Sequence, residues 1–531
     1  MNSVKTFFFN NYYGLILFFA AITFCYFTGN RGIFPIDSFS HYDAGYRILK
    51  GEHPFKDYWV VSGPFVDYMQ SIIFLIFGTS WQSYILNSAI LNGIVSVSTY
   101  YLFINLGLKK NLSFFYSICF AILAYPSSGT PFVDHHSVFL SMLALYSLIL
   151  AIKKNKNIYW FFIPVFMALA FLSKQVPATY ILFSILIILS IHLVHQDKKN
   201  LIKIFLSLFL SSTLIVLLIF LFLKINNIPS EYFVKQYLYY PSTIGHERYE
   251  SINYDFKNVI LNYKLIHISA LILLLFTFKD AKFNKFFFRS LDFKLVLICA
   301  LLFISLAQHV IVTKNQIFIF FLIPLYLGFA HNYLKKFKFN QRKYISIFLL
   351  LFCVIASTKY HQRFNLDRKF HELNKVDFSN SIRAEKISKK LKGLKWITPD
   401  VYRNYNMNYE VQLINYFKKI LNEDKTNKIV ITNYSFFSII SNQNVSGFSR
   451  WYPGDNSAFP IYGNKFYDDY KKLIIKLVLK KKINTIYILP DVSEKNLTNY
   501  ISQKCFDKTE LKMKIIKYNN KNECLEFSMK K

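Results

Sequence analysis

Apolar runs separated by short polar segments fill the first 358 residues of the chain. A helix needs about 17 to 25 residues to cross roughly 30 Å of hydrocarbon. The first run follows a single Lys and no small-residue cleavage site, which favours a retained span over a signal peptide. The pattern predicts a polytopic α-helical membrane protein with about 11 transmembrane helices. The runs lie at roughly 12–29, 82–106, 112–126, 137–152, 158–173, 176–194, 201–223, 259–278, 295–312, 315–330 and 344–358.

The segment PFVDYMQSIIFLIFG at 64–78 decides the predicted topology, because counting it as a span would invert every later loop. If this segment lies flat at the interface, the loops on the same side of the membrane as the N-terminus hold 19 Lys and Arg and 3 Asp and Glu in 60 residues. The loops on the opposite side, which include 30–81, hold 10 Lys and Arg and 10 Asp and Glu in 103 residues. Cytoplasmic loops are enriched in Lys and Arg. We therefore predict a cytoplasmic N-terminus, an interfacial helix at 64–78 and an extracytoplasmic loop at 30–81.

The pattern changes at about residue 359, where long apolar runs end and Lys, Asn and Asp alternate with short mixed segments. The β-branched runs KIVITN (428–433) and INTIYIL (483–489) are flanked by helical patterns such as DDYKKLIIKLVLKKK. This arrangement predicts a small soluble α/β domain with a parallel or mixed sheet. We predict a membrane domain at 1–358 and an extracytoplasmic α/β domain at 359–531.

Composition agrees with a membrane protein, since 53% of the residues are hydrophobic and 19% are aromatic. The formal net charge is +33, and the region after residue 358 holds 33 Lys and Arg against 17 Asp and Glu. Such a charge favours contact with anionic lipid headgroups or an anionic glycan, although a solvated surface would show the same composition. Cys505 and Cys524 fall in the predicted exported domain, where a disulfide could form.

The loop 30–81 carries five acids in a chain with 63 Lys and Arg. They are Asp37, Asp43, Glu52, Asp57 and Asp67. The stretch DSFSHYDAGYRILKG has helical spacing, with Asp37 or Ser38 as its N-cap and Gly51 as its C-cap. Capping would give Asp37 a purely structural role. The alternative is that Asp37 acts on an extracytoplasmic substrate.

The order of features in this loop resembles the first extracytoplasmic loop of the GT-C glycosyltransferases. An acid at a helix start is followed by a Gly fourteen residues later, by HPFKDYWVVSGP, by an interfacial helix ending in IFG, and by a span. The superfamily includes the dolichyl-phosphate-mannose protein mannosyltransferases and the bacterial lipid A aminoarabinose transferases. The resemblance covers residues 1 to 330 in layout. Its members usually begin this loop with Asp-Glu, whereas here Ser38 follows Asp37.

Members of the superfamily transfer a sugar from a polyprenyl-phosphate carrier to an acceptor outside the membrane. The loop Asp acts on the acceptor nucleophile, so the resemblance implies that Asp37 is the catalytic base. Asp134, His135 and His136 lie in the second outer loop, YPSSGTPFVDHHSVFLSM, where Asp134 could simply cap the following helix. GT-C proteins place an acid there that faces the first-loop Asp, so we expect Asp37 and Asp134 to face one cavity.

Carboxylate and imidazole groups can hold a divalent cation. Some GT-C members use a metal and others do not. We therefore keep a divalent metal ion as a possible cofactor, with Asp37, Asp134, His135 and His136 as its candidate ligands.

Three basic residues are candidates for binding the donor phosphate. Lys174 lies in FLSKQVPA at the outer end of a predicted span, where it could also extend its ammonium to the interface. Many GT-C members have a similar LSK there, and a fixed ammonium stabilises the charge that develops on a leaving phosphate. Lys314 in VTKNQIFIFFLIP is the second candidate, because family members often have a basic residue at this place. Arg248, with His246, lies in the long outer loop 224–258 and is the weakest candidate.

These observations predict a membrane glycosyltransferase of GT-C type. Its expected location is the bacterial plasma membrane, with the C-terminal domain periplasmic or extracellular. The expected partners are a polyprenyl-phosphate-linked sugar donor, membrane lipids and an extracytoplasmic lipid, glycan or protein acceptor, and no nucleic acid. A lipid-linked glycan flippase remains an alternative, although it should carry polar or helix-breaking residues at mid-span. An O-antigen ligase or polymerase should instead carry its functional groups in one late, large loop.

Overall fold

The computed structural model describes residues 2–126, 128–244, 252–278, 287–313, 318–402 and 407–521. The chain divides into two compact units. Unit 1 comprises Met1–Thr28, Ser88–Phe220 and Ser251–Asn374, and unit 2 comprises Gly29–Asn87, Leu221–Glu250 and Lys375–Lys531. The loop 30–81 therefore belongs to the same unit as the region that follows residue 374.

Helices make up most of the described chain. The principal helices are α1 (Asn2–Gly29), α2 (Pro35–Leu49), α3 (Pro64–Phe77), α4 (Trp81–Leu106), α5 (Lys110–Leu123), α6 (Val133–Lys154), α7 (Asn157–Ser173), α8 (Gln175–Leu193), α9 (Lys198–Ile225), α10 (Lys264–Phe278), α11 (Leu291–Thr313), α12 (Leu322–Asn332), α13 (Phe339–His361), α14 (Met407–Glu423) and α15 (Tyr467–Lys480). Shorter α-helical pieces lie at Ser230–Phe233, Phe437–Ser441 and Lys495–Thr498, and π-helical pieces lie at Val234–Tyr239, Lys257–Leu261 and Gln362–Leu366.

Seven helical segments among the described residues are long and apolar enough to cross a membrane. They are Tyr12–Gly29, Trp81–Leu106, Val133–Lys154, Gln175–Leu193, Lys198–Ile225, Leu291–Thr313 and Asn340–Leu366. The shorter apolar helices α5, α7, α10 and α12 occupy the other four predicted runs. The membrane protein class is thus confirmed, whereas the number of eleven spans stays a prediction.

Helix α3 is the segment on which the predicted topology depends. Its 14 residues extend about 21 Å at 1.5 Å per residue, which is less than the thickness of the hydrocarbon core. Its first half buries Asp67 and Gln70, while Leu75 and Ile76 near its end are 72% and 65% exposed. A short helix with a polar buried start and an apolar exposed end suits an interfacial position. The topology itself stays a prediction.

Helix α2 begins earlier than the sequence predicts. Its N-cap is Phe34 and its first residue is Pro35, so neither Asp37 nor Ser38 is the N-cap. Proline suits the first helical position because its φ is already helical and the N–H that it lacks would have no helical partner. The C-cap is Lys50, and Gly51 follows it at φ +84°. Asp37 therefore lies inside the first turn, and the capping interpretation of this residue is wrong.

Among its described residues, the C-terminal part of unit 2 contains the strands β3 (Lys428–Ile431), β4 (Thr485–Ile488), β5 (Phe506–Leu511) and β6 (Ile515–Asn520). They form a mixed four-stranded sheet in the order β3-β4-β6-β5. Strands β3 and β4 are parallel, whereas β6 is antiparallel to both β4 and β5. Strands β3 and β4 fall within the two predicted β-branched runs. Alternate isoleucines of both strands pack in one core with the apolar face of α15, whose buried positions recur every three to four residues. Strands β1 (Ile382–Arg383) and β2 (Lys395–Trp396) form a separate antiparallel pair.

Candidate active site

A buried carboxylate and a lysine meet at the ends of two apolar helices in unit 1. Nζ of Lys174 donates hydrogen bonds to both carboxylate oxygens of Asp134, at 2.8 Å each. Nε2 of His309 makes a short hydrogen bond with Oδ1 of the same carboxylate. The Asp134 side chain is 2% exposed, whereas 22% of the Lys174 side chain is exposed. Asp134 therefore holds Lys174 from the buried side and leaves the ammonium as the more accessible partner.

The local fold fixes both members of this pair. Helix α6 begins at Val133 with Phe132 as its N-cap, so Asp134 lies in the first turn and does not cap the helix. Lys174 lies in the break between α7 and α8 and has extended backbone angles. Ser137, one turn after Asp134, donates from Oγ to the Lys174 carbonyl at 3.1 Å. Helix α6 thus holds both the ammonium and the backbone of Lys174.

His309 is a member of this site that the sequence analysis missed. It is fully buried on α11, 175 positions after Asp134. A polar pair, Gln308 and His309, does interrupt the apolar run near its end. That signal marks an unusual position, but it does not indicate which residue His309 contacts.

The candidate metal ligands of the second outer loop have other contacts. His135 and His136 are buried, and each has one ring nitrogen within hydrogen-bond distance of a backbone carbonyl oxygen. In the part of the chain that the structure describes, no group of three or more His, Cys, Asp or Glu side chains could hold a metal ion. Both oxygens of Asp134 already contact Lys174. A divalent cation on Asp37, Asp134, His135 and His136 stays a prediction.

In unit 2, four of the five acids of the first loop are buried and take part in ion pairs. Glu52 accepts from Nε of Arg47 at 2.8 Å and from Nδ2 of Asn444 at 2.8 Å, and it also pairs with Lys481. Asp43 lies 3.9 Å from Arg47 and accepts from Oγ of Ser446 at 2.7 Å. Two further pairs are Asp57 with Lys480 at 2.9 Å and Asp67 with Arg450 at 3.0 Å.

These pairs explain most of the acidity of the loop. Residues 444–450 and 480–481, far along the chain, supply cations and donors to acids that the sequence analysis had grouped together. Asp37 differs, because it is half-buried while Asp43, Glu52, Asp57 and Asp67 are at most 7% exposed. Structural ion pairing thus accounts for these four acids, and the role of Asp37 as the catalytic base stays a prediction.

The other predicted site residues cannot be placed in the same way. Lys314 and Arg248, with His246, lie outside the described residues, as does Cys524. Their predicted roles, and a disulfide between Cys505 and Cys524, stay predictions. Asp37 and Asp134 belong to different units, so their expected convergence on one cavity stays a prediction too.

Replacing Glu52 with Gln should lower the thermal stability of the protein in detergent at neutral pH. Breaking a buried ion pair leaves its partner charge uncompensated, which costs about 3–5 kcal/mol. Burial opposes ionisation of Glu52, but Arg47 and Lys481 outweigh it and lower its pKa from 4.5 to about 2. A lowered pKa in the folded state means that the stabilisation is complete above 4.5 and is lost as the pH falls from 4.5 towards 2.

The difference in melting temperature between parent and Glu52→Gln should therefore shrink over this range of pH. Glu423→Gln is the matched control, because Glu423 forms an exposed pair with Lys419 at 3.8 Å and should change little. A difference for Glu52→Gln that does not depend on pH would contradict the assignment.

Across the described ranges, seven long apolar helices and a buried carboxylate–ammonium pair at the ends of two helices define a polytopic membrane protein with a built polar site. Residues 53–223 match the family of the dolichyl-phosphate-mannose-protein mannosyltransferases. The match supports a membrane glycosyltransferase of the GT-C superfamily and does not distinguish the subfamily. It includes Asp134 and Lys174, whereas Asp37, Arg248 and Lys314 lie outside it. No curated protein matches the chain.

Proposed function

We propose that this protein transfers a sugar from a polyprenyl-phosphate carrier to a hydroxyl group of an acceptor outside the cytoplasm. Asp37 takes the proton of the acceptor hydroxyl as its oxygen attacks the anomeric carbon. The bond between that carbon and the phosphate oxygen breaks, and polyprenyl phosphate leaves with the bonding electrons. A single displacement of this kind inverts the anomeric carbon.

The observation that carries the proposal is the contact of the Lys174 ammonium with both carboxylate oxygens of Asp134. An ammonium has three N–H donors. Two of them point to the Asp134 oxygens at 2.8 Å, which leaves one for a phosphate oxygen. A lysine fixed in this way stabilises the charge that develops on the phosphate as the glycosyl bond breaks.

His309 and Ser137 support this role without touching the substrate. His309 holds one oxygen of Asp134, and Ser137 holds the backbone of Lys174. The second acid of the site therefore acts by positioning the lysine. Lys314 and Arg248 are proposed as further contacts to the donor phosphate. The proposed location is the bacterial plasma membrane, with the N-terminus cytoplasmic and the region after residue 358 outside.

The test is transfer by the purified protein from a panel of radiolabelled polyprenyl-phosphate sugars. We expect release of polyprenyl phosphate and incorporation of label into an acceptor for at least one donor sugar. Reconstituted vesicles distinguish the flippase alternative, because a flippase would move the intact labelled carrier across the bilayer without breaking the glycosyl bond. That result would overturn the proposed function.

A further inference from the structure

A buried cluster of His41, Asp67 and Arg450 lies within unit 2, and its His41 is on α2, the helix that carries Asp37. Nδ1 of His41 lies 2.6 Å from Oδ1 of Asp67. Nη1 of Arg450 donates to Oδ1 and Oδ2 of Asp67 at 3.1 and 3.0 Å, and its Nη2 donates to the carbonyl of Ser62. The three side chains are at most 3% exposed. Burying such groups is costly unless each is paired, so this cluster is a built feature of the fold.

The short contact with Asp67 indicates the tautomer of His41. A nitrogen and an oxygen at 2.6 Å need a hydrogen between them, and both oxygens of Asp67 accept from Arg450, so we assign the hydrogen to Nδ1 of His41. Nη1 of Arg450 lies 3.2 Å from this Nδ1 but makes no hydrogen bond to it, because an arginine only donates. Burial lowers the pKa of His41, Arg450 lowers it further, and Asp67 opposes both. The ring is therefore neutral near neutral pH and presents a lone pair at Nε2.

The position of His41 on α2 places its imidazole ring near the candidate catalytic base. His41 follows Asp37 by four residues, which places the two side chains on one face of the helix about 6 Å apart along its axis. Within the part of the chain that the structure describes, the polar contacts of His41 all involve Nδ1. Nε2 is thus the ring nitrogen that is left to accept a hydrogen bond from a ligand.

We propose that Nε2 of His41 accepts a hydrogen bond from a hydroxyl group of the sugar substrate that lies beside Asp37. Asp67 and Arg450 are positioning residues, because they act on the substrate only through the imidazole. The inference rests on the proposed function for the identity of the substrate. The hydroxyl belongs either to the donor sugar or to a glycan acceptor, and the experiment separates the two sources.

The experiment compares His41→Phe with His41→Gln in the full-length purified protein. Phenylalanine fills the site of the imidazole but accepts no hydrogen bond, whereas glutamine keeps an acceptor oxygen. Binding is measured with a polyprenyl-phosphate sugar and with polyprenyl phosphate alone, and KM is measured for donor and acceptor. His53→Phe is the matched control, since His53 lies in the same loop and its Nδ1 contacts the Tyr68 hydroxyl at 2.9 Å.

We expect His41→Phe to weaken one sugar interaction by about tenfold, as for the loss of one hydrogen bond of about 1–1.5 kcal/mol. If the hydroxyl is on the donor, binding of the polyprenyl-phosphate sugar falls while binding of polyprenyl phosphate alone is unchanged. If it is on the acceptor, donor binding is unchanged and the KM of the acceptor rises. His41→Gln should restore most of the affinity, and His53→Phe should match the parent.

The inference is wrong if His41→Phe changes neither sugar interaction, or if it weakens sugar and bare carrier equally. Should His41→Phe fail to fold, His41→Leu replaces it. Leucine is smaller than phenylalanine and accepts no hydrogen bond, so the same loss of sugar affinity is expected. The binding measurements do not require the protein to transfer the sugar. If the parent protein binds sugar donors through His41 but transfers no sugar, the proposed function is wrong, while the role of His41 in binding the sugar stands.

Discussion

Asp37→Asn should reduce sugar transfer by about a hundred- to ten-thousandfold, which is the usual contribution of a general acid or base. The amide keeps the shape of the side chain but cannot take a proton from the acceptor hydroxyl. Asp37 is not the N-cap of α2, so the substitution removes no cap from this helix. We therefore expect melting temperature and donor binding close to those of the parent. The measurement is kcat with a labelled donor, alongside thermal stability and donor affinity.

The control for this experiment is Asp255→Asn. Asp255 is an exposed acid that accepts a hydrogen bond from the backbone N–H of Asn258 at 2.6 Å, next to a short helical piece. It is thus an acid with a purely local structural contact, and its replacement should leave kcat unchanged. If Asp37→Asn transferred sugar at near the parental rate, Asp37 would not be the base.

Lys174→Met should weaken donor binding and lower turnover by about a hundred- to a thousandfold in kcat/KM, because one fixed charge at the phosphate is lost. The ammonium interacts with the phosphate before the bond breaks as well as during its cleavage. Binding and rate should therefore fall together, in contrast to Asp37→Asn. Affinity for polyprenyl phosphate and kcat/KM for the donor are the measurements. Lys224→Met, an exposed lysine in the last turn of α9, is the matched control.

A loss of stability could imitate this effect, because Lys174→Met leaves the buried Asp134 with an unpaired charge. Breaking a buried pair from one side costs about 3–5 kcal/mol, whereas removing both charges is often close to neutral. The double variant Asp134→Asn with Lys174→Met should therefore regain melting temperature without regaining activity. Recovery of transfer in the double variant would show that Lys174 has a structural role and does not contact the donor.

The candidate site was predictable where a residue type and its place in the topology were enough. Asp134 and Lys174 were identified separately, each at the end of an apolar run, and the structure joins them at 2.8 Å. His309 was not, because one histidine in an apolar helix does not indicate its partner. The acids of the first loop show a second limit of the sequence, which does not distinguish acids in ion pairs from an acid with a catalytic role. They looked like one group in the sequence, and the fold assigns four of them to ion pairs.

The sequence by itself determined the apolar runs, the change of pattern near residue 359 and the two buried strands that the structure shows at β3 and β4. These features depend on neighbouring residues, because a span or a strand repeats its pattern over a few positions. The tertiary structure alone decided which charges meet. Asp67 and Arg450 are 383 positions apart, and Asp134 and His309 are 175 apart. Ion pairs at such separations arise only when the tertiary fold brings the side chains within about 4 Å, so no local pattern records them.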